Sequence, residues 1–314
     1  MKAYILKEPG DVSGLQLTDL PVPQPAQGEV LIKVKAISIN PVDVKTREGK
    51  GFYGRLKDAD PLILGWDISG IVEAAGEKVT EFSPGDEVFG MVNFPGHGKA
   101  YAEYLISPVS QLALKPNNIS FEDAAAATLA ALTAYQVLVK KADIKPGDKV
   151  LIPAASGGVG HFAVQIAKYL GANVTGTSSA KNRDFVLSLG ADEHLDYNGD
   201  ILDQQVQAFD FVFDTVGGAN TERSLPLIKV GGELISIPTT LSEEAIALAK
   251  ELNVKASFYL VSSDGESMKK IAGLLKTGDL KAQVSEVFHY DKLPAAHTAV
   301  ESGRTVGKVV VSLT

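Results

Sequence analysis

A glycine-rich turn between an apolar run and a helical pattern is the part of this sequence best suited to bind a phosphate. Ala155, Gly157 and Gly160 occupy the three glycine positions of a G-x-G-x-x-G pattern, and the run 149–153 before them has the composition of a buried parallel strand. Apolar residues recur at helical spacing from Val159 onward, so a helix begins inside the turn. Glycine lets backbone approach a pyrophosphate, and free N–H groups at a helix start attract its negative charge. The stretch predicts a dinucleotide-binding strand–turn–helix–strand unit.

The residues after the second strand of this unit predict NADP(H) rather than NAD. NAD sites usually place Asp or Glu about 20 residues beyond the glycines, where the carboxylate binds the ribose 2′-OH. Ser178 and Ser179 stand there instead, and Lys181 and Arg183 follow. Hydroxyls and cations bind a 2′-phosphate that a carboxylate would repel. A second interpretation, compatible with the first, is that Ser179 caps a helix with a basic face.

The composition excludes several classes of function. The chain has no cysteine, which rules out disulfides, thiolate zinc sites and a catalytic cysteine, and its five histidines show no H-x-x-x-H spacing. A formal charge of −8 and a pI near 5.2 argue against nucleic-acid binding. No apolar run approaches the roughly 20 residues of a membrane helix, and the start of the chain turns polar too early for a signal peptide. We therefore expect a cytoplasmic protein with no nucleic-acid or membrane partner.

Periodicity divides the 314 residues into two kinds of structure. Residues 1–122 read mostly as short strands separated by glycine and proline turns, which is typical of a small barrel-like β domain. An alanine-rich helix is predicted over 121–141, with Ser120 and Asp123 as its capping pair. Strands and helices then alternate, which predicts a doubly wound parallel sheet and an α/β fold class. Its predicted strands are 149–153, 173–177, 193–196, 209–213, 232–236 and 254–258, and its predicted helices are 158–170, 181–189, 219–228 and 242–251, with a doubtful piece near 201–207.

The end of the chain changes character again. A last helix is predicted over 267–277, and strand-like runs follow at 284–290 and 306–313. These runs resemble the first domain, so we expect the tail to return to it. The carboxyl ends of parallel strands line the ligand crevice of such sheets. Val216 and Ile237 follow the fourth and fifth predicted strands and are expected to contact the cofactor, although an ordinary loop is the alternative at 214–218.

Four motifs follow one another along the chain: N-P-V-D at 40–43, P-G-D at 84–86, A-L-T-A-Y at 131–135, and K-P-G-D-K-V-L-I at 145–152 before the glycine turn. Together they resemble the medium-chain dehydrogenase/reductase superfamily, in its zinc-free quinone oxidoreductase (zeta-crystallin-like) branch. The likeness covers nearly the whole chain. It implies a discontinuous GroES-like catalytic domain (1–122 and 263–314), an NADP-binding Rossmann domain (123–262) and a cofactor cleft between them.

The same resemblance implies that no metal is bound. Compared with zinc alcohol dehydrogenases, Asn40 occupies the position of a cysteine ligand, and Trp66-Asp67 occupies that of a His-Glu pair. Leu129 lies near the position of the remaining catalytic cysteine. Without a Lewis acid an isolated carbonyl is poorly polarised. The expected acceptor is therefore already electron-poor, as quinones and α,β-unsaturated carbonyl compounds are.

The resemblance also implies roles for individual residues. Asn40 lines the nicotinamide and substrate pocket, where its amide can donate to the substrate oxygen, and its alternative role is a helix cap. Tyr53 donates a proton or walls the pocket, unless it is a loop aromatic facing solvent. Whether Arg183 and Arg304 touch the cofactor is left open. From the strand ends and the resemblance together, the expected cofactor contacts are Thr128, Ser156, Gly157, Gly158, Val159, Ser178, Ser179, Lys181, Tyr197, Val216, Ile237, Phe258, Leu260 and Lys308.

Three functions fit the sequence. The first is an NADPH-dependent, zinc-independent reductase of quinones or activated double bonds. The second is a reductase of one particular enone or enoyl thioester, and the third is a non-catalytic NADPH-binding protein. Relatives in the branch are often dimers joined at the edge of the Rossmann sheet, so a homodimer is expected. The valine- and isoleucine-rich strand near 232–237, with 255–260, is compatible with such an edge.

Overall fold

The computed structural model describes residues 1–199 and 204–314. The chain divides into two compact units, of which the first comprises Met1–Leu132 with Ser262–Thr314 and the second comprises Thr133–Val261. The domain limits expected from the sequence, at 122/123 and 262/263, stay predictions. The doubtful helix near 201–207 falls partly outside the described residues.

The strands and helices are numbered here in chain order over the described residues. The strands are β1 (Lys2–Leu6), β2 (Leu15–Asp19), β3 (Glu29–Ile39), β4 (Asp67–Ala75), β5 (Glu87–Met91), β6 (Tyr104–Pro108), β7 (Ala113–Leu114), β8 (Lys149–Ile152), β9 (Asn173–Ser178), β10 (Glu193–Asp196), β11 (Phe209–Asp214), β12 (Ile228–Ser236), β13 (Lys255–Phe258), β14 (Val284–His289) and β15 (Lys308–Ser312). The α-helices are α1 (Pro41–Arg47), α2 (Tyr53–Leu56), α3 (Phe121–Ala126), α4 (Leu129–Tyr135), α5 (Gly160–Tyr169), α6 (Arg183–Ser188), α7 (Ala219–Ser224), α8 (Glu243–Glu251), α9 (Gly265–Thr277) and α10 (Leu293–Glu301).

The second unit is built on a parallel sheet whose strands follow the order β10-β9-β8-β11-β12-β13. All its neighbouring strands run in the same direction. Many positions of the central strands are apolar, as expected for a sheet covered by helices on both faces, and Leu151, Val212 and Leu234 are fully buried. The order reverses between β8 and β11, which makes that point the expected ligand crevice. The predicted α/β class and parallel sheet are confirmed.

Two helices of the second unit differ from the prediction. The helix expected over 219–228 stops at Ser224, and a 3-10 turn, Leu225–Leu227, follows it. Pro226 lies in that turn and has no backbone N–H to continue the helix. The helix expected over 181–189 begins as a 3-10 turn, Ala180–Asn182, before α6.

The first unit holds a mostly antiparallel sheet in the order β14-β15-β3-β4-β5-β7, with β6 also paired to β3. The long central strand β3 is buried along most of its length. The tail returns as expected: β15 pairs with β3, with Val310 opposite Ser38. The helix α10 between β14 and β15 was not predicted from the strand-like tail.

The linking helix expected over 121–141 is broken into three pieces. Ser120 caps α3 through a hydrogen bond from Asp123 N to its hydroxyl, as predicted (3.0 Å). The chain then leaves the helix at Ala127, restarts as α4, and ends in a π-helix, Gln136–Lys141. The restart has a distant cause, because Leu129 N donates to a carboxylate oxygen of Asp67 (2.8 Å).

None of the helices in the described ranges is both long and apolar enough to cross a membrane.

Candidate active site and cofactor site

The carboxyl ends of the parallel strands bring most of the predicted cofactor residues to one edge of the second unit. The glycine turn follows β8, and Ser178 is the last residue of β9. Because parallel strands end at the same edge, residues far apart in sequence meet there. The other predicted residues at this edge are Tyr197 after β10, Val216 after β11, Ile237 after β12, and Phe258 and Leu260 at and beyond the end of β13.

The glycine turn is tight at Gly160 and less tight at Gly157. A Cβ on Gly160 would lie 2.2 Å from the carbonyl oxygen of Ala154, whereas one on Gly157 would lie 3.1 Å from the same atom. Gly160 therefore lets α5 pack closely against the end of β8. Ala154 adopts φ 48°, a left-handed conformation that few non-glycine residues take. The Ser156 hydroxyl accepts a hydrogen bond from Asn182 Nδ2 (3.1 Å), which ties the turn to the loop after β9.

The end of β9 carries a buried hydroxyl beside an imidazole. Ser178 is 3% exposed, and its Oγ lies 2.8 Å from Nε2 of His194 on the neighbouring strand β10. Burial lowers the pKa of His194, and the positive charge of Arg183 lowers it further. Sequence reasoning did not single out His194, because the contact depends on strand pairing.

Asp214 organises the loop that carries Val216. Its Oδ1 accepts hydrogen bonds from Val216 N (3.0 Å), Gly217 N (2.9 Å) and Asn220 Nδ2 (2.9 Å), while the Thr221 hydroxyl donates to Oδ2. The carboxylate is fully buried. A D-T-V-G turn at the end of a strand is the sequence signal for this loop, and the role of its aspartate was missed.

A buried polar cluster in the first unit surrounds Asn40. Its Nδ2 donates to Asp67 Oδ2 (2.7 Å) and makes a long contact to Ser38 O (3.5 Å), and its Oδ1 accepts a hydrogen bond from Lys308 Nζ. Lys308 Nζ also donates to Ile39 O (3.2 Å) and lies 3.9 Å from Asp67 Oδ2. The orientation of the Asn40 amide is therefore set by an ammonium on one side and a carboxylate on the other.

Two carboxyls and one ammonium share this cluster. Asp43 Oδ2 accepts a hydrogen bond from Asn40 N (2.7 Å), which is half of a capping box at the start of α1. Burial, followed by the charge of Asp67, raises the pKa of Asp43 to about 7. Burial also raises the pKa of Asp67 and lowers that of Lys308. A proton on Asp43 leaves one carboxylate to balance the Lys308 ammonium.

Tyr101 and His297 extend the cluster away from Asn40. The Tyr101 hydroxyl and His297 Nε2 are hydrogen-bonded at 2.8 Å. Burial, with a smaller effect of the Asp43 charge, raises the pKa of Tyr101. Burial, aided by Arg47, lowers the pKa of His297 to about 3, so that imidazole is neutral at working pH. Neither residue carried a prediction.

Tyr53 lies elsewhere in the first unit. It lines a groove of about 250 Å³ together with Leu6, Lys57 and Pro61, and it is not among the described hydrogen-bond partners of Asn40. Its role as a catalytic residue stays a prediction. Trp66 is fully buried and donates its indole N–H to Gly96 O (2.7 Å).

Thr128 and Lys308, both predicted cofactor contacts, belong to the first unit and are buried. The Thr128 hydroxyl donates to Ala125 O (2.7 Å), at the break between α3 and α4. Lys308 is 3% exposed and its ammonium is directed to Asn40 and Ile39. Their cofactor roles stay predictions, although the Lys308 side chain is engaged within its own unit.

Two family profiles and many relatives match the chain. The alcohol dehydrogenase GroES-like domain profile matches residues 26–117, and the zinc-binding dehydrogenase profile matches residues 189–311. The 2-methylene-furan-3-one reductase of Solanum lycopersicum is 33% identical over 99% of this chain and 79% of its own. The NADPH-dependent alkenal/one oxidoreductase, chloroplastic, of Arabidopsis thaliana is 31% identical with the same coverage. The structure of the quinone oxidoreductase from Coxiella burnetii is 36% identical, with a TM-score of 0.94 over 100% of this chain and 99% of that one.

Proposed function

Because this chain belongs to the medium-chain dehydrogenase/reductase superfamily, we propose that it is a zinc-independent reductase that uses NADPH to reduce quinones or the activated double bonds of α,β-unsaturated carbonyl compounds. Membership makes it an NAD(P)H-dependent oxidoreductase. The class of acceptor and the individual residues are the proposal.

The residues at the carboxyl edge of the parallel sheet fit NADP(H). Gly157 keeps the turn after β8 free of a side chain, and hydroxyls stand where NAD sites carry an acid. Ser236 Oγ, at the end of β12, is buried and has no hydrogen-bond partner among the described residues, so it is available to hydrogen-bond a polar group of the cofactor. We propose as cofactor contacts Ser156, Gly157, Gly158, Val159, Ser178, Ser179, Lys181, Tyr197, Val216, Ile237, Phe258 and Leu260, with Thr128 and Lys308 as further candidates from the sequence.

NADPH supplies a hydride when it is bound. The chain's own contribution is to align the acceptor and to offer a hydrogen bond to the oxygen on which negative charge develops. We propose Asn40 for that hydrogen bond. One Nδ2 hydrogen is held by Asp67, and the other, whose direction is fixed by the amide plane, makes only a 3.5 Å contact to Ser38 O and remains available to a substrate oxygen.

The proposal that the reaction needs no zinc is supported by the chemistry of the residues at and near the Asn40 cluster. The positions that resemble the zinc site hold an amide, an indole, a carboxyl and an aliphatic side chain, at Asn40, Trp66, Asp67 and Leu129. The Asp67 carboxyl already accepts hydrogen bonds from Asn40 Nδ2 and Leu129 N. The indole N–H donates to Gly96 O, and the amide is held by Lys308 and Asp67. Amide, indole and aliphatic groups are poor ligands for zinc. The buried Lys308 ammonium would also repel a divalent cation there.

We test the acceptor class by anaerobic NADPH oxidation. The acceptors are a benzoquinone, an α,β-unsaturated ketone, the saturated ketone with the same carbon skeleton, and a simple aldehyde. We expect turnover with the quinone or the enone only, and the saturated ketone as the product from the enone. Equal turnover of the saturated ketone or the aldehyde would refute the proposal, and so would tight NADPH binding without turnover of any acceptor.

Single variants test the two proposed catalytic residues. Asn40→Ala should lower kcat with the enone about 10- to 100-fold, the loss expected for one hydrogen bond to developing charge. Tyr53→Phe should lower kcat if the phenol donates the proton and should leave it unchanged if the ring only lines the pocket. The control is Tyr104→Phe, a change on β6 that keeps the ring.

We also propose that the protein is a cytoplasmic homodimer. β13 is one of the two outer strands of its sheet, and its residues are only partly buried apart from the exposed Lys255. An outer strand of this kind retains backbone groups that can pair with a second copy. Light scattering on the purified protein gives the oligomeric state directly.

A further inference from the structure

We propose that His194 is a positioning residue that turns the Ser178 hydroxyl toward the 2′-phosphate of NADPH, and that it is thereby a determinant of the choice of NADPH over NADH. The inference rests on the proposed cofactor site and adds to it a residue on a different strand.

The pairing of two strands creates the contact. β9 and β10 are parallel neighbours in which Asp196 pairs with Ser178 and His194 pairs with Gly176. The four side-chain positions share one face of the sheet, because residues two apart in a strand point the same way. His194 is 6% exposed, and its Nε2 reaches Ser178 Oγ at 2.8 Å.

The Ser178 hydroxyl has a single hydrogen and more than one acceptor within reach. It can donate to Ser179 O at 3.2 Å or to His194 Nε2. When Nε2 carries a hydrogen, it donates to Ser178 Oγ and the imidazole no longer competes for the hydroxyl hydrogen. That hydrogen can then turn from Ser179 O to a phosphate oxygen. His194 therefore decides whether Ser178 presents a donor or a lone pair to the ligand.

Two cations, Arg183 and Lys181, and one carboxylate, Asp196, belong to the segments around this pair, a balance that favours a phosphate. Arg183 lies close enough to His194 to lower its pKa, and Asp196 on the same strand acts in the opposite direction. Lys181 belongs to the 3-10 turn that follows β9. A phosphate among these groups would accept a charge-assisted hydrogen bond from Ser178, the kind that contributes most to affinity. NADH carries only the uncharged ribose 2′-hydroxyl at this point, so it cannot accept a charge-assisted hydrogen bond.

Two amide variants separate this role from a structural one. The side-chain nitrogen of glutamine reaches about as far as the Nε2 of histidine, whereas that of asparagine reaches only as far as Nδ1. His194→Gln should keep the donor to Ser178, and His194→Asn should lose it. Both variants keep a polar side chain at the same buried place, and their melting temperatures show whether each is folded.

The ligands are adenosine 2′,5′-bisphosphate and 5′-AMP, titrated by calorimetry. We expect His194→Asn to weaken the bisphosphate about 10-fold, the value of one hydrogen bond to a charged group, and to leave 5′-AMP within about twofold. His194→Gln should bind both as the parent does. His289→Gln, a change at an exposed histidine in the first unit, is the control.

The outcomes distinguish the two levels of the proposal. The role of His194 is overturned if His194→Asn weakens the binding of both ligands equally, or if neither variant changes the affinity for the bisphosphate. In either case the parent's preference for the bisphosphate still supports the NADPH site. A parent protein that binds the two ligands equally overturns the 2′-phosphate site itself and the role of His194 with it. Turnover of the quinone and enone tests the acceptor class separately.

Discussion

The Lys308 ammonium donates a hydrogen bond to the side-chain oxygen of Asn40, although 268 positions separate the two residues in sequence. The opposite end of the same amide donates to Asp67 (2.7 Å). A cation and an anion on its two sides prevent the amide from flipping, because the reversed orientation would face donors with donors. Asn40, the residue proposed to meet the substrate, is thus held in place by two groups that need not touch the substrate themselves.

We expect Lys308→Met to act on the chemical step. The hydrogen bond from Lys308 contributes about 1.5–3 kcal/mol to holding the amide in one orientation. Without it only the Asp67 hydrogen bond orients Asn40, so kcat with the enone should fall severalfold. The Kd for NADPH, measured by fluorescence titration, should change less than about twofold.

Lys33→Met, at an exposed position of β3, is the matched control for this change. Because Lys308→Met also leaves Asp67 without its cation, the double variant Lys308→Met/Asp67→Asn restores neutrality and checks that a loss of kcat does not reflect unfolding. A large rise in Kd with kcat unchanged would instead make Lys308 a cofactor contact, as the sequence predicts.

The stability of the parent protein should respond to the titration of Asp43. Its pKa of about 7 means that the folded protein holds, between about pH 4 and pH 7, a proton that the unfolded chain releases. Stability is therefore lost as the pH rises through that window, by on the order of 4 kcal/mol in total. Asparagine cannot ionise, so the melting temperature of Asp43→Asn minus that of the parent should increase between pH 5 and pH 8.

Taking the difference between the two proteins removes the titrations of groups that do not interact with Asp43. The pKa of the neutral His297 is lowered from 6.5 to about 3. The stability that this imidazole contributes is lost as the pH falls through that window, in the parent and in the variant alike. Asp58→Asn provides an exposed comparison. A difference that stays constant from pH 5 to pH 8 would show that Asp43 does not hold this proton.

Two alanine substitutions in the glycine turn should have different consequences. In Gly160→Ala the new Cβ meets backbone atoms of Ala154 at 2.2 Å and of Ala155 at 2.8 Å, so α5 must move. We expect a loss of about 1–3 kcal/mol in the free energy of unfolding. Gly157→Ala has more space, at 3.1 Å, and should weaken NADPH binding while the melting temperature changes little.

Thermal unfolding and NADPH titration of both variants check this pair, and Gly273→Ala, an open position on α9, is the control. The interpretation of the turn fails if Gly157→Ala is the more destabilised variant, or if it binds NADPH as the parent does.

Removal of metal ions should leave the activity unchanged. The Asn40 cluster offers an amide, two carboxyls and an ammonium, a set poorly suited to zinc. Dialysis against a strong chelator, followed by the enone assay and elemental analysis, tests this expectation. A zinc alcohol dehydrogenase treated in parallel is the positive control. Activity that disappears on dialysis and returns with added zinc would contradict the proposal.

Local pattern was sufficient for much of the fold. The strands of the parallel sheet follow from apolar runs such as 149–153 and 209–213, because a strand covered on both faces carries its signal within a few residues. The capping of α3 by Ser120 is equally local, since donor and acceptor lie three residues apart. The carboxyl edge with the glycine turn and Ser178 follows from the strand order that such units adopt.

Features that depend on distant partners were not predictable. The linking helix is interrupted where Leu129 N meets Asp67, a residue 62 positions earlier. The buried Lys308 looks like a phosphate-binding lysine in sequence, because nothing near it shows that Asn40 and Ile39 take up its donors. His194 reaches Ser178 only through the pairing of β9 with β10.

The return of the tail to β3 also sets the order in which the chain can fold during synthesis. Residues 133–261 form one unbroken stretch that holds every strand of the parallel sheet, so this unit can fold while later residues are still in the ribosome. The first unit emerges earlier and must wait, because β14 and β15 complete its sheet and Lys308 completes the Asn40 cluster. Until then residues 36–39 of β3, which pair with β15, are an open strand edge in the nascent first unit, and such an edge is prone to wrong pairing.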